Sequence, residues 1–394
     1  MLSLRQSWPR QALFIAAVIA ITELAIGHAQ AQYLVTNDDP GVSVYTVATN
    51  GALTLTQQIL TGGFSNVGGF FGANRIQSLN TGGEQCIFAS VGDGGQLSTA
   101  PQIVGIQVST LKVSGSASGS PNDNGASNGI GLAVNSKYLY ASFADSSTIG
   151  TFVVESGCGL AFVNDLAVAG LDGGLINGMA IHGNIMIATF TDGSIESFNI
   201  SAGTPVPNGD EQYSTATRES HDATYPNSID ITSDGHFAIF GDTSSSMVVE
   251  VSDITWGRLR PTLVYKSAAS ISSSNVILSP DETLLYVVNT QGATVTAYLF
   301  NKATGRLTFG CTSAPIAGQS ANWSYLGAAG LISQTGNGGG VYVAEFGDPS
   351  SIAMVTLQSS TTGICSLTEN AQSPFADNNS RGLISIGAFP PRAF

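Results

Sequence analysis

Charged side chains are scarce in this chain, and most of those present are acidic. Only 10% of its 394 residues are Asp, Glu, Lys or Arg, and 13 basic residues stand against 27 acidic ones, a net charge of −14. Nucleic-acid-binding proteins neutralise phosphates with clustered Lys and Arg. The composition therefore argues against a nucleic-acid partner, whereas an acidic surface favours cationic partners.

A long apolar segment, close to the length of a membrane span, occurs only at the beginning of the chain. Arg5 and Arg10 precede the apolar stretch from Ala12 to Ile26, which ends at Ala29-Gln30-Ala31. A basic start, a short apolar segment and small residues before a cleavage point are typical of a secretory signal peptide. We predict a signal peptide at 1–31, a mature chain with no membrane span, and a secreted or periplasmic location.

Cysteine is also rare: the chain has four, and none forms a CxxC pair. This argues against a zinc site and a thioredoxin-type motif, while an exported chain permits disulfides. Four cysteines allow three connectivities. No GxSxG sequence occurs, so a serine-hydrolase elbow has no support.

Glycine is abundant instead, with 47 residues, and Ser, Thr, Asn and Val are frequent. Such a composition suits short strands joined by tight turns and suits long helices badly. A mature chain of about 360 residues would ordinarily form two domains unless it belongs to one of the large single-domain β architectures. We predict a single all-β domain at 32–394.

A repeat supports this prediction. The stretch "SPDETLLYVVNTQGATVTAYLF" (279–300) has weaker copies such as "GLAVNSKYLYASFADSSTIGTFVV" and "GMAIHGNIMIATFTDGSIESFNI". Alternating side chains bounded by Gly, Asp, Asn and Ser indicate half-buried antiparallel strands. A spacing of about 40 to 50 residues is typical of four-stranded propeller blades. Seven units fit, at 33–63, 75–120, 130–170, 178–217, 228–267, 275–318 and 326–376.

The two ends of the repeat complement each other. The first unit begins directly at "YLVTNDDPGVSVYTV" without an inner strand, whereas "GLISIGAF" (382–389) is a surplus strand after the seventh unit. If the C-terminal strand supplies the missing inner strand, the ring closes without an open sheet edge. We therefore predict a seven-bladed β-propeller with four-stranded antiparallel blades, closed by the C-terminal strand in the first blade.

These blade positions bear on the cysteines. Cys311 belongs to the outer strand of the sixth unit and Cys365 to the start of the outer strand of the seventh, so we predict a bridge between them. Cys86 and Cys158 lie in neighbouring units but on different strands, one inner and one outer. We predict no bridge for Cys86.

The stretch "SPDETLLYVVNTQGATVTAYLFNKATGRLT" and its copies resemble the lactonase-type seven-bladed β-propeller family, which includes 6-phosphogluconolactonase and carboxymuconate-cyclising enzymes. The resemblance implies Arg and His in a Pro-Arg-His sequence where an inner strand begins, and an acidic residue after a second strand. The matching stretch, Pro226-Asn227-Ser228-Ile229, has Asn227 for Arg and Ser228 for His. The third-unit counterpart, Ser127-Asn128-Gly129-Ile130, has no His, and Asp242 matches the acidic residue.

Acidic or amide residues recur once per unit after the second strand. They favour hairpin turns, because Asp and Asn bond their own turn, or else form an electronegative rim that concentrates cations. The series is Asp38, Asp93, Asp145, Asp192, Asp242, Asn289 and Asp348.

Asparagines also recur just before the predicted inner strands, at Asn74, Asn128, Asn177, Asn227 and Asn275. They either cap turns or bind a ligand at the channel mouth. A weaker resemblance to gluconolactonase-like propellers, which hold a divalent cation with Asn and carboxylate oxygens, implies Asn128, Asn227 and Asp242 as ligands of Ca²⁺ or another divalent cation.

Two loops complete the set of predicted site residues. His221 follows Arg218 and Glu219 and precedes Asp222, so it is either a general base or a solvated loop residue. Trp323 lies in "GQSANWSYLG", where it would stack on a ligand or pack over a blade. His182 and His236 fall in turns on the opposite face, and we expect both to be solvated.

We predict that this monomeric protein binds a small molecule, such as a sugar lactone, or a protein partner at the channel mouth. The alternative is lactone hydrolysis, aided by a divalent cation. Catalytic roles are assigned to His221, Asp242 and Asn227, and ligand binding to Asn74, Asn128, Asn177 and Trp323.

Overall fold

Antiparallel strands make up nearly all regular structure in the computed structural model of this protein. It describes residues 32–39, 41–61, 75–81, 83–91, 103–117, 129–143, 146–170, 173–208, 213–214, 226–242, 249–255, 258–266, 273–289, 292–316, 326–332, 340–345, 350–359, 365–376 and 381–391. Within these ranges Ser156–Cys158 form one 3-10 turn, and no α-helix occurs. Contacts group Gln32–Phe394 into one unit apart from Met1–Ala31. Residues 1–31 lie outside the described ranges, so the signal peptide stays a prediction.

The strands pair into seven sheets, here called blades 1 to 7. Blades 1 to 3 contain β1 (Tyr33–Asp39), β2 (Gly41–Val47) and β3 (Leu53–Leu60); β4 (Ile76–Thr81), β5 (Glu84–Ser90), β6 (Ile103–Gln107) and β7 (Lys112–Ala117); and β8 (Gly129–Val134), β9 (Tyr138–Phe143), β10 (Thr148–Glu155) and β11 (Gly159–Ala167).

Blades 4 and 5 contain β12 (Ile176–His182), β13 (Ile185–Phe190), β14 (Ser194–Asn199), β15 (Val206–Pro207) and the short β16 (Tyr213–Ser214); and β17 (Pro226–Ile231), β18 (Phe237–Asp242), β19 (Val249–Thr255) and β20 (Arg258–Lys266). Blades 6 and 7 contain β21 (Ser273–Leu278), β22 (Leu284–Asn289), β23 (Thr294–Asn301) and β24 (Arg306–Thr312); and β25 (Leu326–Ile332), β26 (Gly340–Glu345), β27 (Ser351–Ser359), β28 (Cys365–Glu369) and the short β29 (Phe375–Ala376).

The last strand, β30 (Arg381–Phe389), closes the ring. It pairs antiparallel with β1, with Tyr33 opposite Phe389 and Asn37 opposite Ser385, and so becomes the inner strand of blade 1. The inner strands contact one another in the order β30, β4, β8, β12, β17, β21, β25 and back to β30. The prediction of a seven-bladed β-propeller closed by its C-terminal strand is confirmed.

Consecutive side chains of a second strand pack against different neighbouring blades. In β22, Val287 joins an apolar cluster with Ile239 of blade 5, while Val288 joins another with Val343 of blade 7. Both faces are therefore buried, and the strand reads as a continuous apolar run, Leu285-Tyr286-Val287-Val288. The alternation expected of half-buried strands does not describe the second strands, because each blade lies between two others.

Buried tyrosines connect blades by hydrogen bonds. The Tyr140 hydroxyl of blade 3 donates to the Gly203 carbonyl of blade 4 at 2.7 Å, and Tyr342 of blade 7 donates to Gly51 of blade 1 at 2.8 Å. Both phenols are inaccessible to solvent, and burial raises the pKa of Tyr140 to about 12. Gly203 has φ +96°, and a Cβ there would lie 2.6 Å from the Tyr138 ring, so only glycine fits.

Two disulfides join neighbouring blades. Cys311 of β24 and Cys365 of β28 have Cα atoms 5.5 Å apart, and this bridge between blades 6 and 7 confirms the prediction. Cys86 and Cys158 are also bridged, with Cα atoms 5.6 Å apart. The prediction of no bridge for Cys86 is therefore wrong.

The reason lies in the position of both cysteines. Cys86 is on β5, the second strand of blade 2, and Cys158 ends the 3-10 turn between β10 and β11 of blade 3. That turn reaches across to blade 2, where a Cβ on Gly105 or Gly115 would lie 2.1 or 2.3 Å from the Cys158 carbonyl oxygen. Glycines in blade 2 thus leave room for the turn.

Removing the closing strand tests the architecture. A chain ending at Ser380 should lose most of its stability, because blade 1 loses its inner strand and blades 7 and 2 lose a packing surface. Thermal unfolding followed by circular dichroism measures this. A control chain lacking only residues 392–394 should melt like the parent. Equal melting temperatures for both truncations would contradict closure by β30.

The tyrosine contacts give a second test. Tyr140→Phe and Tyr342→Phe should each lower the free energy of unfolding by about 1–3 kcal/mol, because a buried glycine carbonyl loses its donor. Chemical denaturation measures the loss. Tyr33→Phe, in a half-buried residue, is the matched control and should change little. Losses no larger than that of the control would show that the hydroxyl bonds contribute nothing.

The buried disulfide gives a third test. Its loop spans 72 residues, so in the chain-entropy model the Cys86–Cys158 bridge stabilises the fold by about 4 kcal/mol. The double variant Cys86→Ala, Cys158→Ala should melt well below the parent. Peptide mapping of the unreduced protein should recover both bridges, and a free thiol at Cys86 would refute the pairing.

Candidate ligand site at the channel mouth

The channel has a mouth on the face where inner strands begin and second strands end. Six inner strands carry extra residues there. The pairing register shifts between Gly129 and Gly131, Ile176 and Gly178, Pro226 and Ser228, Ser273 and Asn275, Leu326 and Ala329, and Arg381 and Ser385. Such bulges leave residues unpaired and re-aim their neighbours. The chain therefore breaks its regular ladder at the face where a ligand would enter.

One register position defines a ring around this mouth. On the inner side of each bulge the second strand pairs with the inner strand, as Ser142 does with Gly131 and Val288 does with Asn275. The next residue of the second strand, together with its counterparts in the other blades, forms what we call the mouth ring. Its members in blades 1 to 7 are Asp38, Val91, Phe143, Phe190, Asp242, Asn289 and Glu345.

The mouth ring is divided by polarity. Val91, Phe143 and Phe190 of blades 2 to 4 are inaccessible to solvent and belong to the apolar clusters between blades. The other four members lie in consecutive blades, since blade 7 adjoins blade 1, and we call them the polar arc: Asp242, Asn289, Glu345 and Asp38. Three acidic residues and one asparagine thus occupy consecutive positions of the mouth ring, and the structure describes the side chains of Asn289 and Glu345 among them.

Asn289 has a fixed orientation within the polar arc. Its Nδ2 donates to the hydroxyls of Thr294 and Thr296 at 3.0 and 2.9 Å. Its Oδ1 is buried and accepts no hydrogen bond. Because the two donors hold the amide in place, this oxygen is a pre-oriented acceptor that lacks a donor.

Asn37 repeats this arrangement beside the polar arc, one residue before Asp38. Its Nδ2 donates to the Ser90 carbonyl of blade 2, and its buried Oδ1 has no partner. Ser385, which pairs with Asn37 across the closing strand, has a buried Oγ that is likewise without a partner. Buried polar atoms normally have partners, so these oxygens are available to a bound molecule or to water.

Glu345 and Arg75 are the buried charged residues of this face whose side chains the structure describes. Glu345 is only 3% exposed, and Ser351 Oγ donates to its Oε2. Arg75 precedes β4 and is 2% exposed, and its carbonyl accepts from Ser90 N–H at 2.9 Å. Burial lowers the pKa of Arg75 to about 10, so the guanidinium remains charged at neutral pH.

The Asn series predicted from the sequence does not occupy one register position. Asn177 and Asn227 are the extra residues of the bulges in β12 and β17, whereas Asn275 lies one position further and pairs with Val288. These three lie within inner strands rather than before them. Asn74 and Asn128 fall outside the described residues, as do His221 and Trp323. Their ligand-binding and catalytic roles remain predictions.

The Asp series is also divided by the register. Asp38, Asp242 and Asn289 belong to the mouth ring, but Asp192 comes two residues after Phe190. Its carboxylate accepts from Gly174 N–H at 3.0 Å, from Ser194 N–H at 2.9 Å and from Ser194 Oγ at 2.6 Å. Asp192 therefore stabilises its own turn, as the hairpin reading of this series predicts. The prediction from the sequence missed Glu345. Aligning the second strand "VYVAE" of blade 7 with "LYVVN" of blade 6 would have shown that Glu345 is equivalent to Asn289.

The two predicted turn histidines lie at the opposite end of the blades. His182 ends β12 and His236 precedes β18, where inner strands turn into second strands. Blades 5 and 6 are joined nearby: Lys302 Nζ of blade 6 lies 3.7 Å from Asp234 Oδ2 of blade 5, and Ser233 Oγ of blade 5 donates to the Glu282 carboxylate of blade 6 at 2.9 Å. The hydrogen bond to Glu282 raises the pKa of Lys302. The charged residues at this end of the blades therefore hold two blades together and do not line the channel mouth.

Among the described residues, Glu84, Cys86 and Cys158 form the one cluster of His, Cys, Asp or Glu close enough to hold a metal. Both cysteines are in the disulfide, so they offer no thiolate. This cluster is not a metal centre.

The closed ring, its inner strands and its asymmetric mouth define a seven-bladed β-propeller whose candidate ligand site lies at one end of the channel. The family model "Lactonase, 7-bladed beta-propeller" matches residues 104–374. The chain therefore belongs to the lactonase seven-bladed β-propeller family. No curated protein matches the chain.

Solved structures share the fold at low sequence identity. A candidate 6-phosphogluconolactonase from Bacteroides fragilis is 14% identical, with a TM-score of 0.61 over 92% of this chain and 99% of that one. Another from Bacteroides uniformis is 14% identical, with a TM-score of 0.63 over 91% and 99%. A protein of unknown function from Desulfotomaculum acetoxidans is 12% identical, with a TM-score of 0.61 over 91% and 99%. In the described part of this chain, no helix is long and apolar enough to cross a membrane.

Proposed function

We propose that this protein is an exported, monomeric lactonase-like propeller that binds a small oxygen-rich molecule, such as a sugar lactone, at the channel mouth. The observation that carries the proposal is the polar arc, which places carboxylate and amide residues on one side of an otherwise apolar ring. A basic, apolar and small-residue leader supports export. Family membership supports a lactone as the ligand.

The chemistry at the mouth supports binding more than family-type catalysis. Hydrolysis of a lactone needs an activated water and a group that stabilises the oxyanion. At the family positions Asn227 and Ser228 supply neither a base nor a fixed positive charge. Acceptor oxygens without donors, on Asn289 and Asn37, are complementary to the hydroxyl groups of a ligand.

Lactone hydrolysis is the second candidate function, and membership of the lactonase family favours it. Asp242, with His221 as an alternative base, would activate the water, and Asn227 would orient the substrate. A divalent cation held by Asn128, Asn227 and Asp242 would supply the missing positive charge by polarising the lactone carbonyl. Asn74, Asn177 and Trp323 would contact the rest of the ligand.

A binding experiment tests the leading proposal. The mature chain, treated with chelator, is titrated calorimetrically with a panel of sugar lactones and their open hydroxy acids. We expect saturable binding that Asn289→Ala weakens by roughly tenfold, because one bound hydroxyl loses its acceptor. Asn164→Ala, on an exposed outer strand, is the matched control. No binding across the panel, or equal effects of the two variants, would refute a mouth site for lactones.

An activity assay separates the second candidate from the first. Chelated protein should be nearly inert on lactones, and hydrolysis that appears with Ca²⁺ or another divalent ion and disappears in Asp242→Asn would establish the cation-dependent enzyme. Binding without turnover under both conditions would leave the binding function alone. Rapid hydrolysis that survives chelation would contradict both candidates as stated.

A further inference from the structure

The two disulfides differ in how far solvent reaches them. Cys86 and Cys158 are both 0% exposed, and the turn that carries Cys158 packs against the backbone of blade 2. Cys311 and Cys365 lie on outer strands, and both are partly exposed. Thiol–disulfide exchange requires that a thiolate reach a sulfur atom. The bridge between blades 6 and 7, here called the outer bridge, is therefore the one open to a dissolved thiol.

A glycine lies directly beside the outer bridge. The pairing register of β24 shifts between Ala297 and Tyr298 of its partner strand, so Gly310 is the bulge residue that the pairing skips. It is itself partly exposed, and a Cβ at this position would lie 3.4 Å from Cys365 Sγ. On this side a thiol meets a residue without a side chain, which leaves the sulfur uncovered.

The outer bridge is connected to the mouth ring by hydrogen bonds. Thr312 follows Cys311 directly, and its hydroxyl oxygen lies 2.9 Å from that of Thr296 on β23. Thr296 also accepts from Asn289 Nδ2 at 2.9 Å. Three side chains thus link the residue next to the bridge with the mouth-ring amide whose Oδ1 has no donor.

The bridge restrains the strand that carries this link. Within the described strands β24 pairs with β23 alone, because it is the outermost strand of blade 6. Its other restraints are the bond from Cys311 to β28 of blade 7 and the apolar cluster in which the bridge packs with Val288 and Val295. Val288 precedes Asn289, and Val295 lies between the two threonines that hold its amide. A strand with one ladder partner is among the easiest elements to displace, so opening the bridge frees the position of Thr312.

We propose that the Cys311–Cys365 bridge is a redox switch for the channel mouth. A dithiol reductant opens it while the Cys86–Cys158 bridge stays intact, the end of β24 loosens from β23, and the Asn289 amide loses its fixed orientation. The weakening of ligand binding that follows rests on the proposed function, because it requires a ligand at the mouth. The opening of the bridge and the release of the amide do not.

The reaction is a transfer of two electrons. One thiolate of the dithiol attacks Cys365 Sγ, the bond between the two sulfurs breaks, and Cys311 leaves as a thiolate that takes up a proton. The second thiolate of the reductant then attacks the mixed disulfide, which releases Cys365 and turns the reductant into a disulfide. The protein gains two electrons and two protons, and the dithiol loses the same number.

Limited reduction tests the selectivity. The folded mature chain is treated with dithiothreitol, free thiols are blocked with iodoacetamide, and peptides are mapped by mass spectrometry without further reduction. We expect alkylated Cys311 and Cys365, a retained Cys86–Cys158 bridge and an unchanged circular dichroism spectrum. Opening of both bridges together, or an outer bridge that is reduced only when the chain unfolds, would overturn the proposal.

Hydrogen exchange of the Asn289 side-chain amide tests the coupling. Its NMR signals are identified by their absence in Asn289→Ala. Reduction of the outer bridge should speed the exchange by roughly tenfold or more, because Nδ2 is no longer held between two hydroxyls. The double variant Cys311→Ser, Cys365→Ser should exchange rapidly with or without dithiothreitol.

A threonine variant separates the hydrogen-bond link from the bridge itself. Thr312→Val should leave the outer bridge as reducible as in the parent, yet should raise the exchange rate of the Asn289 amide in the oxidised chain. Thr308→Val, an exposed residue of the same strand, is the matched control and should behave like the parent. An Asn289 amide whose exchange is unaffected both by reduction and by Thr312→Val would refute the coupling.

Calorimetry with the sugar lactone panel connects the switch to the proposed function. We expect the reduced chain and the double serine variant to bind lactone at least about fivefold more weakly than the oxidised chain. If the oxidised chain binds no lactone, the proposed function fails while the reduction and exchange tests still decide on the switch. Lactone binding that is equally tight in both redox states would overturn the switch alone.

Discussion

The whole structure depends on the burial of both faces of each blade. A second strand such as β22 has apolar side chains on both faces, so a blade becomes stable only between two neighbours. A linear row of seven blades would leave two such faces open. Pairing of β30 with β1 removes them, and the chain ends are joined by main-chain hydrogen bonds.

The same closure builds the mouth. Radial packing brings the ends of seven second strands to one face, where residues far apart in the chain become neighbours. The polar arc spans the closure, because Glu345 lies in blade 7 and Asp38 in blade 1. Asn37 and its cross-strand partner Ser385 belong to the first and last strands, so the C-terminal strand contributes to the candidate site as well as to stability.

Membership of the family rests on the blades. The family model matches residues 104–374, while the alignment of Asn227 and Ser228 with the Arg and His of the family stays a prediction from the sequence. The mouth still has charged residues, because Arg75 and Glu345 are buried there at register positions different from those of Asn227 and Ser228. The function of a propeller depends on the residues at the ends of its strands and in its loops, and these can change while the blade framework is retained.

The sequence by itself determined the seven units, the closing strand and the Cys311–Cys365 bridge, because alternation and spacing along the chain report local strand structure directly. Only the tertiary structure decided which residues occupy equivalent register positions in the mouth ring. The bulges add residues to inner strands, so asparagines that look equivalent by counting, such as Asn227 and Asn275, pair differently. The Cys86–Cys158 bridge likewise depends on a contact between two blades, which spacing within one blade does not encode.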